Sequence, residues 1–180
     1  MPKLYFLVSI LFISLAQSGV AAQVSSILHL VSVKGIGDEI GTVTFLDTKK
    51  GLLITPNLIN LSPGYHGFHI HQDPSCLPGK NDNKMAAAIS AGGHLDLQKT
   101  NVHSGPYVNN SHLGDLPRLM VDQNGIADVA FLAPKLSVNN VIKHAVVIHA
   151  GGDNYSDKPL PLGGGGARIA CGIVSDNKDK

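Results

Sequence analysis

The 180-residue chain carries 14 Lys and Arg against 13 Asp and Glu, a formal net charge of +1 with its histidines neutral. So even a balance gives no electrostatic reason to expect nucleic acid or an anionic membrane surface as partner. With 43% hydrophobic residues, 20 glycines and no Trp, the chain is long enough for one domain with its own core and rich in residues that suit turns.

Residues 1–22 stand apart. A single charge, Lys3, precedes an apolar run from Leu4 to Leu15 and the small-residue stretch Ser18-Gly19-Val20-Ala21-Ala22. This pattern predicts a secretory signal cut after Ala22 or nearby, and the apolar run is short for a membrane span. The remaining 23–180 reads as one domain.

Within it, Gly41 to Asp47 alternates and is rich in β-branched residues, which predicts a strand, and Gly51 to Ile54 is a short apolar run that Pro56 interrupts. Gly64 to His71 places His69 and His71 two apart, so a strand would present both imidazoles on one face with Phe68 and Ile70 on the other. Helical periodicity is suggested only at Met85 to Ser90. Asp122-Gln123-Asn124-Gly125 carries an Asn-Gly turn signal between Val121 and the run Ile126 to Leu132, which reads as a hairpin. Val141 to His149 and Ala167 to Val174 are further apolar strands, and Asp176 to Lys180 reads as a solvated tail. Short strands with frequent turns predict an all-β antiparallel sandwich or barrel. The segments Gln72 to Pro117 and Gly151 to Gly166 do not read as strands, and loops so long in a compact domain are usually functional.

The chemistry-bearing residues gather on those loops. Imidazole suits zinc, copper, iron or nickel. His94, His103, His112 and Asp115 lie on the first long segment and offer a closed donor set for zinc. His149 ends an apolar strand beside Gly151-Gly152-Asp153, and with His69 and His71 it gives three candidate ligands for a second metal. For His29, His66 and His144 a bland role is at least as good a reading. Export would put the two cysteines, Cys76 and Cys171, in an oxidising compartment, where a disulfide is the default and a metal–thiolate role the alternative.

Five stretches together resemble the copper,zinc superoxide dismutases, the branch exported by bacteria in particular. They are His66-Gly67-Phe68-His69-Ile70-His71, Ala91-Gly92-Gly93-His94, His112-Leu113-Gly114-Asp115-Leu116, His149 to Asn154, and Gly163 to Gly172 with Arg168 and Cys171 inside it. The resemblance implies a flattened eight-stranded Greek-key barrel with two long functional loops, and a periplasmic protein. It implies copper on His69, His71, His94 and His149, and zinc on His94, His103, His112 and Asp115, with His94 bridging the two metals. Asp153 would accept hydrogen bonds from one ligand of each metal, Cys76 and Cys171 would pair, and Arg168 would dock the substrate anion near the copper.

The activity so implied is disproportionation of superoxide to dioxygen and hydrogen peroxide. A non-catalytic periplasmic copper- or zinc-binding protein of the same fold is the alternative, but it would not need His94 as a bridge, Arg168 or Asp153. A blue-copper carrier would need a thiolate ligand. A zinc hydrolase would need a motif such as His-Glu-x-x-His, and the one Glu, Glu39, lies far from the histidines. Lys80 and Lys84 are candidates for steering the anion, with ordinary solvated lysines an equal reading. The sequence leaves monomer and homodimer both open, with no membrane partner once the signal is removed.

Overall fold

The computed structural model describes residues 21–175, so the predicted signal segment lies almost wholly outside the described residues, as does the tail. Eleven strands form: β1 (Gln23–Ser32), β2 (Gly35–Thr48), β3 (Gly51–Leu58), β4 (Gly64–His66), β5 (Phe68–His71), β6 (Gly79–Asn81), β7 (Lys84–Ala86), β8 (Leu119–Val121), β9 (Phe131–Ala133), β10 (Ala145–His149) and β11 (Arg168–Ile173). Seven of them make one curled antiparallel sheet in the order β5-β10-β11-β1-β2-β3-β9, while β4 pairs with β8 and β6 with β7.

The circuit returns on itself. Leu58 of β3 exchanges both backbone hydrogen bonds with Ala127, a turn leads back from there to β8, and β8 pairs with β4, which runs through Gly67 into β5. Counting β4–β5 as one strand and Ala127 to β9 as another gives the expected eight-stranded antiparallel barrel. The Asn-Gly turn closes as predicted. Asp122 Oδ1 accepts from the backbone N–H of Asn124 and Ile126, and Gly125 takes φ 79°, which a side chain would resist.

Alternation fills the barrel from every side. Leu28, Val43, Phe45, Leu52, Ile54, Leu58, Phe68, Ile70, Val146 and Ile148 are buried in one cluster, with Phe68 edge-on to Phe131 at 5.9 Å. Each such side chain contributes about 1.5–3 kcal/mol. A second, smaller cluster lies on the other face of β10 and β11, where Ala145, Val147 and Cys171 meet Cys76, Ala88 and Ala91 from the first long loop.

Two local expectations give way to tertiary context. β3 does not stop at Pro56 but continues to Leu58, with Pro56 opposite Val43. By strand alternation the nitrogen of Pro56 faces the same side as that of Leu58. On that side β9 pairs only with Leu52 to Ile54 and Ala127 only with Leu58, so no partner needs the missing N–H. Met85 to Ser90 is not helical: Lys84–Ala86 pairs with β6, and Ala88 turns left-handed at φ 51° into a short 3₁₀ turn at Ile89–Ala91. Burial of Ala88 and Ala91 against the cysteines outweighs alanine's helix preference. The one α-helical turn among the described residues, α1 (Val138–Val141), was not predicted. It carries a capping box between Ser137 and Asn140.

Candidate metal centre

β5 is an edge strand of the large sheet, and its open edge is where the centre is built. Ile70 donates to Gly114 O at 2.9 Å and accepts from Leu95 N at 2.8 Å, while Gln72 N reaches Gly93 O at 3.0 Å. Two stretches of the long loop are thereby stitched alongside the strand, bridging His71 to His94 and His69 to Asp115. Gly114 must be glycine here, because a Cβ would lie 2.2 Å from Ile70 O. On the other edge, β10 supplies His149 beyond the Ile148–Phe68 pair.

The result is a compact cluster of buried imidazoles. Candidate donor atoms of His69, His71, His94 and His149 all lie within 4.8 Å of one another, and so do those of His69, His94, His103 and Asp115. The hydrogen bonds say which ring atom of each histidine is committed. His69 Nε2 is held by Asp153 Oδ2 at 2.9 Å, leaving Nδ1 buried with no partner. His71 Nδ1 donates to Gly92 O at 3.0 Å and His149 Nδ1 to Gly166 O at 3.2 Å, and their Nε2 atoms face each other at 3.4 Å. His94 Nδ1 meets Asp115 Oδ1 at 2.9 Å, leaving its Nε2 unpartnered. Four imidazole nitrogens, one from each ring, are therefore free for one ion.

A second convergence centres on Asp115. Its Oδ1 lies 2.9 Å from His94 Nδ1, 3.0 Å from His103 Nδ1 and 3.4 Å from His112 Nδ1. The last two nitrogens are buried and badly directed for hydrogen bonds. A tetrahedral ion with bonds of about 2.0–2.1 Å has donor–donor edges of about 3.3 Å, so these separations suit zinc. His69 also comes near this group, since its donor atom lies within 4.8 Å of those of His94, His103 and Asp115, while His112 Nδ1 approaches it through Asp115 Oδ1. Asp153 joins the two sets, taking His69 Nε2 on Oδ2 and His103 Nε2 on Oδ1 at 2.8 Å.

The electrostatics match groups shaped for cations. Burial, then the charge of His94, pushes His69 and His71 well below the ordinary histidine value, and the same causes bring His149 down to about 4. His94 is also lowered by burial. These rings are neutral, the form that ligates. His103 departs the other way: burial lowers it, but the close approach of Asp115 and the hydrogen bond to Asp153 raise it to about 9. Asp115 and Asp153 resist burial and stay far below the carboxylate range through their histidine hydrogen bonds.

His71, His94 and His149 open onto a cavity of about 670 Å³ that Arg168 also lines, with Asn81 and Met85 from the β6–β7 hairpin at its rim. Arg168 grips Ala88 O at 2.6 Å and Gly92 O at 2.7 Å, so it shares the Gly92 carbonyl with His71. The cysteines form a disulfide, Cys76–Cys171, with Cα atoms 5.7 Å apart across a separation of 95 residues. Lys80 and Lys84 are exposed on the hairpin.

Sequence reasoning missed several residues that hold the centre. His66 is buried and bridges His149 O at 2.7 Å and Ser62 O at 2.8 Å, so it braces the end of β10. Asp157 accepts from His103 N at 3.0 Å and Leu162 N at 3.0 Å, tying the two long loops together. The Arg118 guanidinium lies over the rings of Tyr65 at 4.7 Å and Tyr155 at 5.3 Å, and its backbone N–H donates to Tyr155 Oη. Lys135 reaches into the first loop from beyond β9. Each of the four makes at least one contact across a long sequence separation, which no local spacing marks.

A closed antiparallel barrel carrying two adjoining imidazole-rich donor sets, one with a carboxylate, defines a protein built to hold two neighbouring transition-metal ions. Residues 39–174 match the family described as copper/zinc superoxide dismutase. The chain is 55% identical over 141 residues to "Superoxide dismutase [Cu-Zn] 1" of Salmonella typhimurium, spanning 78% of this chain and 80% of that one. It is 48% identical over 170 residues to the Cu-Zn superoxide dismutase of Escherichia coli K12, spanning 94% and 98%. Among solved structures, the Cu/Zn superoxide dismutase from Brucella abortus superposes with a TM-score of 0.83 at 43% identity, covering 86% of this chain and all of that one. The chain belongs to the copper/zinc superoxide dismutase family. It is an enzyme that disproportionates superoxide, with copper and zinc as its cofactors.

Proposed function

We propose that copper is held by His69 Nδ1, His71 Nε2, His94 Nε2 and His149 Nε2, and zinc by His94, His103 and His112 through Nδ1 and by Asp115 through Oδ1. One observation carries this reading. The His94 ring stands between the two donor sets, with Nδ1 at Asp115 and Nε2 unpartnered among the other imidazoles.

Copper supplies the one-electron chemistry and zinc a fixed, redox-inert charge. The residues supply the rest. With Nδ1 committed towards Asp115, His94 Nε2 is the one atom of that ring able to take up a proton and deliver it into the cavity. Asp153 holds the ring orientation of one member of each set, which raises their basicity as ligands. Arg168 is a permanent cation on the wall beside His71 and His149, and it docks the superoxide anion. Residues 1–22 act as an export signal, so the enzyme works in the periplasm.

Metal analysis with a dismutation assay tests the assignment. Protein reconstituted with copper and zinc should hold one of each and be active. His71→Ala should lose copper and nearly all activity while keeping zinc, and His103→Ala should lose zinc first. His103→Ala emptying the copper site alone would overturn the ligand sets. Recovery of the secreted protein with its original Met1 would overturn the signal.

A further inference from the structure

The loop segment from His103 to His112 has no regular secondary structure, and although Gly105, Pro106 and Ser111 are buried, its tip is not: Tyr107 is 68% exposed and Val108 48%. Polar contacts must help to hold that tip in shape. The cation that reaches it is Lys135, which follows β9 on the barrel side. Its Nζ lies 2.9 Å from Val108 O, 3.0 Å from Ser111 Oγ, 3.4 Å from Gly105 O and 3.5 Å from His112 O. Ser111 Oγ in turn donates to Val108 O at 2.9 Å.

An ammonium has three donors and no acceptor, so it can organise several oxygens at once without a fixed plane. Here the oxygens come from both ends of the segment, Gly105 just after His103 and His112 itself. Asp157 fixes the opposite flank by accepting from His103 N. The hydrogen bonds of Lys135 go to Ser111 Oγ and to the backbone that carries the candidate metal donors, not to a donor atom.

We propose that Lys135 is a positioning residue that shapes the 104–112 segment before metal arrives, aligning His103 and His112 for zinc. The proposal rests on the zinc ligand set given above. A purely structural lysine would cost stability alone. A positioning lysine alters the affinity of one metal and not of the other.

The test compares wild type with Lys135→Met, Lys135→Arg, Ser111→Ala and His103→Ala, each as purified whole protein. Zinc and copper affinities are measured by chelator competition, and amide hydrogen exchange over 104–112 is followed in the metal-free protein. Lys135→Met should bind zinc about 10–100-fold more weakly, the range for partners that orient metal ligands. Its copper affinity should stay within about threefold of wild type, and the loop amides should exchange faster. Lys135→Arg, which keeps the charge, should recover at least half of the loss on a logarithmic scale. Wild-type zinc affinity in Lys135→Met, or equal weakening of both metals, overturns the proposal. Should that variant not fold, Ser111→Ala removes one of the four oxygens and keeps the charge. It should weaken zinc about threefold or more, and unchanged zinc affinity there overturns the proposal as well. The His103→Ala arm separates the two readings: if it keeps wild-type zinc, the ligand set fails; if it loses zinc while Lys135→Met does not, only the role of Lys135 fails.

Discussion

Arg168 has two separable jobs at the scale of a single residue. Its charge lines the cavity, while its guanidinium clamps the carbonyls of Ala88 and Gly92, and Gly92 O also receives His71 Nδ1. Lys in its place keeps the charge but loses the planar fork that spans two carbonyls. Arg168→Ile should keep both metals by elemental analysis yet fall at least about tenfold in activity, some 1.4 kcal/mol of transition-state stabilisation. Arg168→Lys should fall between, and azide affinity should follow the same order. Wild-type activity and salt dependence in Arg168→Ile would leave Arg168 as a brace for the Ala88–Gly92 backbone and nothing more. The histidines that the fold gathers were readable in the sequence because metal binding calls for particular residue types, and those types are rare enough to stand out. Which ring nitrogen each one leaves uncommitted was not readable. That is decided by partners such as Gly92 O, Gly166 O and Asp153, all distant in sequence.

Among the elements, the edge of β5 decides the centre. The strand was legible from its two-residue alternation, but its partner was not, because irregular loop backbone shows no period. Gly114 shows how tight that pairing is: an added Cβ would press on Ile70 O at 2.2 Å and Leu95 N at 2.8 Å, both backbone atoms that cannot swing away. Gly114→Ala should destabilise by about 1–3 kcal/mol, as overpacking does, and shed zinc more readily, measured by denaturant unfolding and chelator release. Gly152→Ala is the control, since its Cβ would meet only Tyr65 O at 3.5 Å. It should change stability by less than about 0.5 kcal/mol. If both variants behave alike, the loop is not stitched to the strand as tightly as the hydrogen bonds imply. The disulfide acts on the same loop further along. Cys76 anchors the stretch that ends in Ala88 and Gly92, so Cys76→Ser should lower activity through Arg168 and His71 before metal content falls.

Across the whole molecule, the barrel was legible and its energetics at the centre were not. Strand patterns and turn signals point to an antiparallel barrel, since each rests on local alternation. The opposed fates of the histidines depend on how many carboxylates the closed fold gathers around each ring. His69, His71 and His94 are held neutral by burial, whereas His103 is raised to about 9 because Asp115 and Asp153 both reach it. The sign follows from linkage. A group whose folded pKa lies above its unfolded value of about 6.5 adds stability that is complete below pH 6.5 and is lost as pH rises through 9. The metal-free protein should therefore lose thermal stability between about pH 6.5 and 9, while the metal-loaded protein, in which the proposed zinc ligation deprotonates His103, should not lose it there. On the proposed ligand set zinc displaces that same proton, so uptake at pH 7.5 should release a proton attributable to His103, and that release should fade above about pH 9. Asp153→Asn separates this from any other titration. Removing one of the two carboxylates lowers the His103 pKa, so the fade should move to lower pH while Asp115 still offers its oxygen. Calorimetry of zinc binding in buffers of different ionisation enthalpy counts the protons directly. A release curve identical in wild type and Asp153→Asn would mean that His103 is not the group zinc deprotonates.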